Sequence, residues 1–280
     1  MKRIESLLSH LLLVLAVIFA VYPVLWLVTL ALSPTSSQAR AVILPIPDSL
    51  SLGNMKLLVG GGTPGGVALF LRQLGNSIIV STATAIVSVV VALPASYALA
   101  RMRFVGKNAS VRTLLATQMF PAVASAVPLY LLLETLHLLD SRAGLVLVYA
   151  TTSVPFAIFQ LRGAIESIPI ELEEAAMVDG ASRFVAFVRV VLPVARPQIA
   201  VTALFAFMSA WNEFVLAATL LSRKEAFTLP VVLQGYVGEH SAAWGVFAAG
   251  AVFVSLPVMA FFYFVQRQLI EGLASGGVKG

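Results

Sequence analysis

Six long apolar runs dominate this chain, near residues 11–32, 77–100, 114–136, 144–165, 199–221 and 244–265. Each exceeds the roughly 18 residues with which an α-helix crosses about 30 Å of hydrocarbon. Such runs leave few folds open. Lipid offers no partner to a backbone N–H or C=O, so only helices and closed barrels span it. A barrel strand alternates apolar and polar residues over about ten positions, whereas these runs are continuous. The expected fold class is an all-α polytopic membrane protein with six transmembrane helices in one domain, residues 1–280. Composition agrees: 11% of residues are charged, against about 25% in soluble domains.

Orientation follows from Lys and Arg, which accumulate on the cytoplasmic side of membrane spans. Lys2, Arg3, Arg101, Arg103, Lys107, Arg112, Arg162, Arg183, Arg189, Arg196, Arg267 and Lys279 fall on one side. Only Arg40, Lys56, Arg72, Arg142, Arg223 and Lys224 fall on the other. Both termini are therefore expected in the cytosol. Residues 34–74 then form an extracytoplasmic loop, 166–197 a cytoplasmic loop and 266–280 a cytoplasmic tail. The first run outlasts the roughly 7–15 apolar residues of a secretory signal, so it is expected to stay as a helix. The net charge of +5 is spread along the chain, which fits membrane orientation and gives no reason to expect nucleic acid.

The cytoplasmic loop is the most distinctive stretch. Ser167-Ile168-Pro169 opens it, proline suiting a first helical turn where its missing N–H costs nothing. Glu171, Glu173 and Glu174 follow, at the positive end of the helix dipole. Gly180 is placed to close the helix in a left-handed conformation. A helix of about three turns is expected between Pro169 and Asp179, with Leu172, Ala175, Ala176 and Asp179 along one side. Ser182 can cap a second helix from Arg183, running toward Leu192-Pro193. Helices lying on lipid carry Lys and Arg, but this one carries four acids in nine residues. A protein partner with a basic or polar groove fits it better than a headgroup layer.

The series Glu174-Ala175-Ala176, Gly180 and Leu192-Pro193 resembles the EAA signature of binding-protein-dependent ABC permeases. Trp211-Asn212-Glu213-Phe214 is similar to a segment of the carbohydrate-type members. The ending from Gln266 through Gly276-Gly277-Val278-Lys279-Gly280 resembles that of the G-type subunit of maltose transporters. The resemblance covers nearly the whole chain. It implies the type I importer permease (MetI-like) fold and a bacterial or archaeal cytoplasmic membrane. The implied activity is import of a sugar such as maltose, maltodextrin or trehalose. The implied partners are a second, F-type permease, an ATPase dimer that binds ATP and Mg, and an extracytoplasmic sugar-binding protein. No cofactor is expected on this chain itself. Glu174, Ala175, Ala176, Asp179, Gly180, Leu192 and Pro193 would couple to the ATPase. Gly276, Gly277 and Lys279 would reach it from the tail, and Gln234, Gly235 and Tyr236 would meet the binding protein.

Other residues weigh in more weakly. Glu213 lies in an apolar run, where a charge costs roughly 2.5–3.5 kcal/mol on insertion scales. Pairing with a neighbouring helix, contact with the solute or exposure near the outer interface each remain open, so Asn212 and Glu213 are candidates for the translocation pathway. Pro121 and Pro128 either curve their span around a pathway or are simply tolerated. No catalytic or metal-binding set is expected: the chain has no Cys, and His10, His137 and His240 all fall near span ends. It has no G-x-x-x-x-G-K-[ST] loop, which suits a permease driven by a separate ATPase. A self-sufficient secondary transporter is the alternative, but midplane charge is sparse and no internal repeat is visible.

Overall fold

Proline, glycine and buried polar groups decide where the apolar runs become helices and where they break. In the computed structural model, residues 2–34, 45–47, 49–60, 66–237 and 243–276 are described. They form twelve α-helices and no β-strand among the described residues. In order these are α1 (Lys2–Ala31), α2 (Gly53–Gly60), α3 (Gly66–Arg101), α4 (Lys107–Gln118), α5 (Ala126–Thr135) and α6 (Arg142–Ser167). There follow α7 (Glu171–Val178), α8 (Arg183–Ala186), α9 (Leu192–Trp211), α10 (Val215–Leu220), α11 (Leu229–Gln234) and α12 (Trp244–Gly276). Among the described residues, five stretches are long and apolar enough to cross a membrane: Glu5–Ala31, Gly66–Arg101, Arg142–Ser167, Arg183–Trp211 and Trp244–Gln266. The bent pair Lys107–Gln118 with Val123–Thr135 makes a sixth if taken as one span.

Two expected spans come out differently. The run at 114–136 is not one helix. Its two halves bend by 91° between Gln118 and Val123, with Pro121 extended and a 3-10 turn from Ala122 to Ser125. Pro121 breaks this run rather than curving it. The run at 199–221 is shifted and interrupted. Its helix starts with α8, passes through a π turn at Phe187–Val191 and ends at Trp211. Leu192-Pro193 therefore lies inside a continuous 29-residue helical stretch. In the expected outer loop, residues 53–60 are helical, and α3 begins eleven residues before the expected 77.

The chain divides into two compact units. The first comprises Met1–Gln73 and Val231–Pro257. In it Asn54 is 2% exposed and donates from Nδ2 to the carbonyls of Leu30, Ala31 and Ser33, tying α2 to the end of α1. Gly245 leaves room for that amide, since a Cβ there would sit 2.5 Å from Asn54 Nδ2. Phe70 and Phe253 meet edge to face at 5.8 Å. From Glu5 to Leu25, α1 is exposed all round, as an apolar helix facing lipid or another membrane helix must be.

The second unit comprises Leu74–Pro230 and Val258–Gly280. Its centre is α6, whose Leu161 and Ile165 are fully buried. Ala92 and Leu99 of α3 pack with Ala157, Ile158 and Leu161 of α6. Closer to the loop, Tyr97, Ile165, Ile168, Phe187, Val191 and Ala195 form a second cluster. These clusters hold the ends of α3, α6 and α9 together where the 166–197 loop attaches.

Candidate functional site: a helical loop beneath the spans

Ile168 leaves α6 in an extended conformation, φ −76° and ψ 126°, as expected of a residue before proline. Pro169 then starts a new turn, its carbonyl accepting from Leu172 N at 3.3 Å. The helix α7 has eight residues, shorter than the three turns expected. It ends in a Schellman motif: Gly180 N donates to Met177 O at 3.1 Å and Ala181 N to Ala176 O at 3.0 Å. Gly180 has φ +91°, the left-handed geometry the sequence required of it. Ser182 accepts from Val185 N at 3.3 Å and caps α8, also as expected.

The four acids do not share one role. Glu173 is 3% exposed and is the one buried residue of α7. Its Oε1 accepts from Arg101 Nε at 2.6 Å, and its Oε2 accepts from Tyr97 Oη at 2.8 Å. Arg101 also donates from Nη2 to the Ile168 carbonyl at 2.6 Å. One guanidinium thus joins the ends of α3 and α6 to α7. The sequence grouped Glu173 with the other three acids, counted Arg101 only toward orientation and did not single out Tyr97. The available signal was the four-residue spacing of Tyr97 and Arg101, which puts both on one helix face.

Glu171, Glu174, Ala175, Asp179 and Gly180 are exposed, and Ala176 is half-buried. Beside them Leu172 is 46% exposed, Val178 87% and Phe184 72%. The loop therefore presents acids, small residues and bare apolar side chains together. Leu192 and Pro193 are half-buried on the helix that leaves the loop. Gly276 ends α12, whereas Gly277 and Lys279 lie outside the described residues.

The other candidates stand apart from this loop in sequence. Asn212 terminates α9, donating from Nδ2 to Met208 O at 2.9 Å, and is exposed. Glu213 sits in the break after it. Its carboxylate accepts from Leu216 N at 2.8 Å, Ala217 N at 3.0 Å and Tyr149 Oη at 2.7 Å. A charge that sequence placed in mid-helix is thus the cap of α10. Trp211 is 1% exposed and stacks on Phe207 at 5.5 Å. At the end of α11, Gln234 and Gly235 are exposed and Tyr236 is half-buried, its phenol pushed up in pKa by burial. Among the described residues, no three carboxylate, imidazole or thiol side chains gather as a metal site would require.

The chain thus combines long apolar helices with an acidic, Schellman-closed loop just before the Arg183–Trp211 stretch. Residues 92–274 match the family described as binding-protein-dependent transport system inner membrane component. The chain belongs to that family. It is 35% identical over 268 residues to the trehalose transport system permease protein SugB of Mycobacterium tuberculosis, covering 95% of each. It is 35% identical over 293 residues to the maltose/maltodextrin transport system permease protein MalG of Escherichia coli, covering all of this chain and 97% of the relative. Among solved structures, a chain of a bacterial ABC transporter involved in the import of the acidic polysaccharide alginate matches with a TM-score of 0.76. That match has 26% identity and covers 95% of this chain and 96% of the other. The fold is that of ABC importer permeases, and the resemblance read from the EAA, W-N-E-F and tail segments holds.

Proposed function

We propose that this chain is a permease subunit of an ATP-driven importer for a sugar of the maltose, maltodextrin or trehalose type. The relatives named for maltose and trehalose transport support the substrate class. On this reading the chain works beside a second permease of the F-type. An ATPase dimer holds the ATP and Mg, and a sugar-binding protein delivers substrate on the outer side. Both termini face the cytosol.

The observation that carries the reading is α7 itself: a short helix outside the long apolar stretches, closed by Gly180, with Glu174, Ala175 and Asp179 facing outward. Small side chains let a partner approach the helix backbone, and the carboxylates orient it against basic groups. Glu174, Ala175, Ala176, Asp179 and Gly180 form this docking face, with Leu192-Pro193 carrying it into α9. Gly276, Gly277 and Lys279 add a second ATPase contact. Gln234, Gly235 and Tyr236 meet the binding protein, and Asn212, exposed at the helix break, lines the solute pathway. ATP-driven closure of the ATPase dimer then moves the docked helices, and the spans rock between inward- and outward-open states.

The test is purification of the tagged chain from native membranes, followed by uptake in vesicles. An ATPase subunit should co-purify, and Glu174→Lys should weaken its retention by inverting charge at the contact. Sugar uptake by this chain reconstituted alone would refute the reading in favour of a self-sufficient transporter.

A further inference from the structure

The loop reaches the spans by two routes that differ in the kind of contact they make. Along the chain, α7 leads through Gly180 and α8 into the π turn at Phe187–Val191 and then α9. A π turn is a widened, less regular stretch of helix, often placed at working sites. Pro193 and Pro197 follow, each removing a backbone donor from the helix ladder. This covalent route is irregular, and where it meets the spans its contacts are apolar. The other route passes through side chains. Glu173 is held by Arg101 Nε at 2.6 Å and Tyr97 Oη at 2.8 Å, and the same Arg101 holds the Ile168 carbonyl at 2.6 Å. The side chains of Arg101 and Glu173 are 10% and 5% exposed. Phe187 lies over Tyr97 with ring centroids 4.6 Å apart, shielding the group.

We propose that Tyr97, Arg101 and Glu173 form a clamp that makes α7 move as one body with the ends of α3 and α6, so that force on the loop enters the spans there rather than through α9. The proposal rests on α7 being the helix that docks the ATPase. Its warrant is the kind of contact involved. Helices in water-facing loops are usually held by an apolar stripe, and apolar contacts are non-directional. Here the one buried side chain of α7 is a carboxylate. Charge-assisted hydrogen bonds to a planar guanidinium fix distance and angle together, so they resist pull and twist as well as push. A buried ion pair is weak evidence for stability, which leaves geometry as the property such a group supplies. Glu173 and Arg101 are thus positioning residues: they act through α7.

The experiment uses the whole transporter in vesicles, with three readouts: retention of the ATPase, sugar uptake, and ATP hydrolysed per sugar moved. Glu173→Gln keeps the shape but removes the charge. It should retain the ATPase, because the outward face of α7 is untouched. Uptake should fall about tenfold, inside the roughly 5- to 150-fold range of coupling effects, and ATP spent per sugar should rise to match. A second variant uses the absence of native cysteine. Arg101→Cys with Glu173→Cys should show the same uncoupling. A short thiol crosslinker across the pair should restore uptake, since a clamp that stays closed tolerates a covalent tie. Three results would each overturn the clamp: unchanged uptake in Glu173→Gln, uptake falling only in step with complex yield, or a crosslink that blocks transport. If the parent chain retains no ATPase, the docking reading itself fails, and the first readout tells that apart from a failed clamp.

Discussion

Glu213 separates two roles that a carboxylate within a membrane protein can have, and its substitutions give different numbers for each. Replacing it with alanine strands three donors: Leu216 N, Ala217 N and Tyr149 Oη. Leu216 and Tyr149 are 2% exposed and Ala217 is fully buried, so water does not readily replace the lost acceptor. Each stranded buried group costs about 1–3 kcal/mol. Losses at neighbouring groups do not add fully, so Glu213→Ala should cost about 3–6 kcal/mol in stability. Glu213→Gln keeps one acceptor oxygen but turns an NH2 toward one donor, for a cost of about 1–3 kcal/mol. Tyr149→Phe removes a single donor and leaves the cap on α10 intact, at about 1 kcal/mol. The assay is the apparent unfolding temperature of the detergent-purified chain, with uptake measured in parallel. The expected order of stability is parent, then Tyr149→Phe, then Glu213→Gln, then Glu213→Ala. Should Glu213→Ala unfold with the parent yet lose uptake, the cap is incidental and the carboxylate works on the solute.

Two further substitutions test the ends of the second unit. Gly180→Val places a β-branched residue at φ +91°, where no neighbour lies within 4 Å. The penalty is thus backbone strain alone, about 1–2 kcal/mol, and co-purification of the ATPase should fall; a normal yield would refute the turn's role in docking. Asn76 is 1% exposed, donates to the carbonyls of Glu225 and Phe227 at 2.9 and 3.0 Å, and accepts from Arg142 Nε at 2.8 Å. Asn76→Ala frees that segment at a cost of about 2–4 kcal/mol, so limited trypsin digestion should cut faster at Arg223 and Lys224, and an unchanged rate would refute the anchoring.

The long helices were legible because length and hydropathy alone settle a membrane span, whatever the neighbours do. The turn at Gly180 and the cap at Ser182 were legible for a similar reason: both are local, decided within a few residues. The failures share the opposite property. That Glu173 faces inward depends on Arg101, 72 residues away, and nothing in the run Glu171-Leu172-Glu173-Glu174 marks one acid from the next. The break at Asn212-Glu213-Phe214 was hidden by its apolar surroundings. Its signal was energetic: an ionised group in a membrane helix needs hydrogen bonds, and freeing the first turn of a new helix supplies two of them. Pro121 was recognised as a perturbation, but whether proline bends or breaks a helix depends on packing that hydropathy does not encode.

The split among the loop's acids also bears on how a docked partner is held. Glu171, Glu174 and Asp179 are exposed, and each must shed water when a partner covers it. A desolvated ion pair roughly breaks even against an apolar contact, so these charges set orientation more than affinity. The apolar area beside them is then the larger source of binding energy. Leu172, Val178 and Phe184 are 46%, 87% and 72% exposed, and covering one such side chain yields about 1.5–3 kcal/mol. A loop built only for solubility has no reason to leave Val178 and Phe184 bare on either side of Gly180. Truncating them to alanine should therefore release the partner more readily than neutralising Glu171, whereas reversing Glu174 should misorient it and so also weaken its retention. An acidic loop that already satisfies one carboxylate internally is fixed to its own spans and free to dock with the rest.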